Sequence, residues 1–168
     1  MQIPNTEYHH YYKRYIEHAQ SYLSSKTYAD SLSENLEFYT AIPNDLWAYR
    51  YAKDKWSIAD ILLHINDTER IMAYRALRLS RGDDTPLAGF EQDDYVLTAN
   101  ANNRTPKSLI EEFKTVRLAS LSLFESFSEK DTLKMGTASG TNFSVRALQY
   151  IVVGHQIHHH QIITERYL

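Results

Sequence analysis

The chain contains no cysteine. Disulfides and thiolate metal sites are therefore excluded, and any thiol chemistry needs a thiol brought from outside. Glycine and proline are scarce, at five and four of 168 residues, which disfavours an all-β fold of many turns. No apolar run approaches membrane-spanning length, and no charged-then-apolar leader pattern appears at the N-terminus. A soluble cytoplasmic protein that does not engage a membrane is the expectation. Lysine and arginine total 18 against 21 acidic residues, for a net charge of −3, and no face is rich in the basic ones. Nucleic acid is accordingly not an expected partner.

What is present is ordinary in bulk and unusual in detail. The hydrophobic fraction of 43% and the length of 168 residues fit a single domain over residues 1–168 with a real core. Tyrosine is abundant, with 13 copies concentrated in the first 51 residues. Those tyrosines are read as packing and interface residues. Histidine is uneven: four of the eight fall between His155 and His160.

Helical periodicity runs through most of the chain. Tyr8, Tyr12, Tyr15, Ala19 and Tyr22 suggest a short helical lead-in within residues 1–27. Ala29, Leu32, Leu36 and Tyr39 mark a helix over Tyr28–Ala41, with Pro43 just beyond its end. Ser57 is a fitting N-cap with Asp60 three residues on, a variant of the capping box. Ile58, Ile61, Leu62, Ile65, Met72, Ala76 and Leu79 then form one apolar face, and Gly82 stops the helix. Gly82 to Arg104 shows no clear period and reads as a long crossover. Thr105 and Pro106 open the next helix as N-cap and first-turn proline, with Leu109, Phe113, Val116, Ser120, Leu123 and Phe127 on its seam. Gly136 and Gly140 interrupt the chain before Ser144, the expected cap of the last helix. Strand-like alternation is not apparent. An all-α, four-helix bundle over residues 28–168 with one long crossover is predicted.

The last helix carries the chemistry. Its seam runs Val145, Leu148, Val152, His155, His159, Ile162, so two of its six positions are imidazoles. Residues four apart lie one turn apart on nearly the same face, so both rings can reach one ion. His158 falls to the flank beside Ile151, and His160 points to solvent. His64, in the apolar part of the second main helix, is the natural third ligand. Asp67, one turn on, could orient His64 or complete the site, whereas Glu69 falls on a different side. A lone core histidine ordinarily has a simple polar partner, but two buried imidazoles within one turn are costly unless paired or metallated. His9, His10 and His18 read as surface residues. Asp93 and Asp94 read as a solvated part of the crossover that could approach the site.

Lys55-Trp56-Ser57-Ile58-Ala59-Asp60-Ile61-Leu62-Leu63-His64-Ile65-Asn66-Asp67-Thr68-Glu69-Arg70 resembles the second-helix signature of the DinB-like superfamily. Ser144-Val145-Arg146-Ala147-Leu148, then Gly154-His155 with His158-His159, resembles its last-helix motif. Pro86-Leu87-Ala88-Gly89-Phe90-Glu91-Gln92-Asp93 has the same flavour. The resemblance implies an up-down-down-up bundle that is often a homodimer, with a divalent metal held by His64, His155 and His159. Nickel or zinc is the first expectation for that ion, with iron or manganese also admissible; all-histidine donors suit copper as well. Relatives often carry an acidic residue where Gln156 stands.

Three protein ligands leave an open position, as in catalytic rather than structural metal sites. The ion could activate water for hydrolysis of a small molecule, or bind and deprotonate an external low-molecular-weight thiol for S-transfer. A metal-dependent transferase or hydrolase acting on a small-molecule substrate is the leading expectation. The competing one is a non-catalytic, metal-stabilised dimeric binding or stress-associated protein. No phosphate-binding glycine loop, nucleotide motif or serine triad is readable.

Overall fold

The computed structural model describes residues 2–168, and three of its four long helices begin at the caps that the sequence marks. Ser57 and Asp60 form a full capping box at the start of α3, Ile58–Ser80, and Thr27 and Asp30 form another at α2, Tyr28–Ala41. Thr105 caps α5, Pro106–Glu125, with Pro106 in its first turn. Ser144 caps α7, Val145–Arg166. A short α1, Lys13–Tyr22, precedes them; α4, Gln92–Ala99, and α6, Glu129–Thr132, lie in the connections.

Side-chain pairings set the directions of the four long helices. Tyr167, just past α7, donates to the Trp56 carbonyl just before α3, so these two helices run antiparallel. Asn102, ahead of α5, holds Asp60 in the first turn of α3, while Arg81 lies over Phe127 beyond the other ends. Helices α3 and α5 are therefore parallel. Tyr28 meets Phe124 and Tyr39 meets Phe113, so α2 opposes α5. The order is up-down-down-up. Parallel neighbours explain the long crossover: after α3, about 34 Å of helix at ~1.5 Å per residue, the chain must return along the bundle before α5 can start.

That crossover is not structureless. It contains α4, whose eight residues are all at least partly exposed, so no apolar stripe could betray it in the sequence. Residues 135–144 also depart from expectation. Met135–Ala138 and Thr141–Ser144 pair as a two-stranded antiparallel hairpin, β1–β2. Ser139 and Gly140 both take positive φ at its turn. Four-residue strands are too short for alternation to stand out. The β1 segment also passes against α3, where a Cβ on Gly136 would stand 2.7 Å from a Leu79 side-chain carbon.

The N-terminal lead-in packs as a fifth helix. Ile16 and Ala19 are fully buried, and α1 crosses α7 so closely that a Cβ on Gly154 would sit 1.8 Å from the Tyr15 carbonyl oxygen. Only glycine permits that approach. The α2 seam is shifted from expectation too: Ala29 is exposed, and Ser31, Leu32, Asn35 and Tyr39 are buried. Two of these four are polar because they serve a buried network. Likewise Phe124 and Ile163, rather than Leu123 and Ile162, are fully in the core.

The network joins all four long helices. Arg117 on α5 grips Glu69 on α3 through three contacts of 2.9–3.0 Å, with side chains 1% and 2% exposed. Its remaining arm donates to Ser31 Oγ on α2 at 2.9 Å, and Ser31 donates to Gln156 Oε1 on α7 at 2.9 Å. Gln156 donates in turn to Asn35 Oδ1, and Asn35 to the Ser31 carbonyl. Desolvating two charges is tolerable only with such complete pairing.

Two outcomes follow for denaturant melts. Arg117→Met alone should cost about 3–5 kcal/mol by stranding Glu69, whereas Arg117→Met with Glu69→Leu should recover most of that loss. Gly154→Ala should cost about 3 kcal/mol, since α1 must shift off α7.

Candidate metal centre

The three predicted histidines meet in the core. His64 comes from α3, and His155 and His159 stand one turn apart on α7. They are 4%, 6% and 8% exposed, respectively. The Nε2 atoms of His64 and His159 each lie 3.0 Å from Nε2 of His155. Among the described residues this is the single group of three metal-capable side chains with donors so close together.

Burial holds all three imidazoles neutral. It pushes His64 down to about 4. It takes His155 and His159 well below the ordinary imidazole value, with neighbouring imidazoles adding to the effect. A neutral ring nitrogen carries either a proton or a lone pair, never both. His155 Nε2 can therefore form a good hydrogen bond to one neighbour, but its single proton or lone pair cannot serve two. A cation accepting three lone pairs satisfies every contact at once. The donor set fits a divalent ion, and neutral imidazole is the form that binds it.

The surroundings explain the orientation of the rings. Trp56 packs 4.8 Å from His64, centroid to centroid, and stacks 6.4 Å from His159. Tyr15 on α1 sits edge-on to His155 at 5.3 Å, so the N-terminal helix closes one side of the triad. Gln156, next to His155 in sequence, is turned away into the Ser31–Asn35 network. His159 Nδ1 is buried without a hydrogen-bond partner among the described residues.

Other expectations need correction. Asp67 neither joins the triad nor orients His64; it pairs with Arg70 at 3.4 Å, and burial raises its carboxyl. The helix turns it toward α5, where Arg70 also holds Glu112. His160 does not face solvent: it is half-buried and stacks on Phe38 at 3.6 Å. His158 is a flanking neighbour, as expected, half-buried against Tyr15. Glu69 does lie elsewhere, in the Arg117 ion pair.

His159 also lines an open cleft of about 320 Å³, with Tyr51, Trp56, Asp93 and Tyr167 on its walls. A second cavity of about 630 Å³ adjoins it, between the Arg50–Trp56 segment and α4. Asp54, Lys55, Trp56 and Asp93 line both. Asp93 thus does approach the site, through the crossover. Tyr51, Trp56 and Tyr167 were not legible as site residues, since aromatics at loop and helix ends read equally well as packing.

Fold and centre together define a helical bundle with a buried three-histidine cluster beside an open cleft. The sequence profile of the DinB superfamily matches residues 28–163, and the chain belongs to that superfamily. Among solved structures the chain is similar to YfiT from Bacillus subtilis, described as a probable metal-dependent hydrolase with an unusual four-helix bundle topology. The two share 11% identity at a TM-score of 0.70, over 98% of this chain and 90% of that one. At this identity the likeness is one of fold. No curated protein matches the chain. No helix among the described residues is long and apolar enough to cross a membrane.

Zinc titration followed by calorimetry should give one ion per chain, with affinity falling at least about hundredfold in His64→Ala, more than is typical of outer-shell partners. Metal at about 100 Kd should stabilise the wild type by about 2.7 kcal/mol and the variant by no more than about 0.4 kcal/mol. A wild-type melt insensitive to zinc, nickel, iron and manganese would rule out the centre.

Proposed function

We propose that this protein is a metal-dependent enzyme that transfers an external low-molecular-weight thiol to a small molecule, with a divalent ion held by His64, His155 and His159. The observation that carries this reading is the convergence of three buried, neutral imidazole Nε2 atoms next to a cleft that reaches His159. An ion there would supply Lewis acidity, lowering the pKa of a thiol or a water brought to it. Nickel and zinc suit the donor set first, with iron and manganese also compatible.

The chain's own residues supply the rest. Burial keeps the ligands deprotonated, the ring of Trp56 packs against His64 and His159, and Tyr15 covers His155. An open flank at His159 argues against a closed structural site, which would saturate the ion with protein ligands. Two adjoining cavities sharing Trp56 offer room for a thiol donor and an acceptor together, which favours transfer. Hydrolysis of a small molecule is the second reading, supported by the description printed for YfiT. The family resemblance also supports a homodimer, for which sedimentation should give about twice the chain mass of 19.6 kDa.

Metal-loaded protein screened against electrophiles with several small thiols should consume thiol. His64→Ala and His159→Ala should each lower the rate at least about hundredfold, with unchanged far-UV circular dichroism. Activity that survives both substitutions would refute the site. Turnover that proceeds equally without thiol would replace transfer by hydrolysis.

A further inference from the structure

The cleft beside His159 is walled by aromatic rings and carboxylates that the triad does not use. Tyr51 meets Tyr167 edge-on, with centroids 5.1 Å apart, and Tyr167 donates its hydroxyl to the Trp56 carbonyl at 2.6 Å. These contacts hold the two tyrosine rings in place independently of any ligand, and the Trp56 ring packs against His64 and His159. Asp54 and Asp93 enter from opposite sides, one from the loop before α3 and the other from α4. Among the described residues neither carboxylate forms an ion pair or side-chain hydrogen bond. The nearby Arg50 is committed to Asp60 at 2.7 Å, so among the described residues that line this cleft Lys55 is the one free cation set against two free carboxylates. His159, which also lines the cleft, is more than nine-tenths buried, and its Nδ1 has no hydrogen-bond partner among the described residues.

Aromatic faces flanked by carboxylates suit one ligand chemistry better than others. A cation gains from the negative face of each ring and from unpaired carboxylates nearby, whereas an anion is opposed by both. A second cation beside the histidines themselves is disfavoured if a metal dication sits there, so a positive group belongs at the outer part of the cleft. We propose that this cleft takes a substrate bearing a protonated amine, seated against Trp56 and Tyr51 and neutralised by Asp54 and Asp93, with its reacting end turned toward the histidines. The location of the reacting end rests on the metal-dependent reading above; the amine seat is built from residues outside the triad.

Calorimetric titration at low ionic strength with tyramine and with 3-(4-hydroxyphenyl)propionate separates the two. The probes share a phenol ring and differ in the charge of the side arm. The amine should bind about tenfold more tightly than the acid, and the Asp54→Asn, Asp93→Asn double variant should abolish that preference. Added EDTA should leave the preference in place, because the seat does not depend on a metal. Equal or tighter binding of the acid, or a preference that persists in the double variant, would overturn the proposal. An amine preference in a protein that binds no divalent ion would refute the metal-dependent reading alone; a metal-binding protein without the preference would refute the amine seat alone.

Discussion

Arg117 and Glu69 bury opposite charges where apolar residues could have filled the same volume, and charges so placed admit few arrangements of the helices around them. Each helix must present particular polar groups: Glu69 from α3, Ser31 and Asn35 from α2, Gln156 from α7. A slip of any helix by one residue would leave an ion or amide unpaired in the core. The register of α7 against α2 is thereby set at Gln156. His155 is its neighbour in sequence and His159 lies three residues on, so the same constraint determines how both rings face α3. There His64 stands five residues ahead of Glu69, on the same helix that carries the ion pair.

The triad is the less stable partner in this arrangement. Three neutral imidazoles crowd their Nε2 atoms together and cannot all be satisfied by protons. The surrounding packing keeps them there: Trp56 on one side, Tyr15 on another, and the close crossing of α1 at Gly154. Such a site is held ready by the fold rather than formed by its own contacts, as a preorganised cation site requires. The crossover completes it from outside. Because α3 and α5 are parallel, the chain must travel back along the bundle, and on that path α4 brings Asp93 to the cleft mouth.

Much of this was legible from residues alone. Caps at Ser57, Thr105 and Ser144 and the apolar repeats behind them marked the helices, because capping and burial act locally on a period of 3.6. His155 and His159 were recoverable because polar residues on an apolar seam stand out, and His64 because it lies at the edge of an apolar face within reach of a neighbouring helix. The misreadings have separate causes. Ser31 and Asn35 are buried polar residues with partners on other helices, so the apolar pattern of α2 was placed a little off and Ala29 was assigned a core position it does not have. Asp67 lies one turn from His64, but the helix directs it to Arg70 on the α5 side. Four-residue strands and a helix with no fully buried residue leave no period to read.

The sequence by itself determined the helical elements, their caps, the absence of any internal thiol and the identity of the three converging imidazoles. These follow from local propensity and from the energetic cost of burying polar groups. Only the tertiary structure decided that α1 seals the triad, that Gln156 belongs to an ion-pair network, and that Tyr51, Trp56, Tyr167, Asp54 and Asp93 surround one cleft. Those residues are scattered from the loop before α3 to the end of α7. Their proximity arises from helix directions and close approach, which long-range packing sets and no local pattern records.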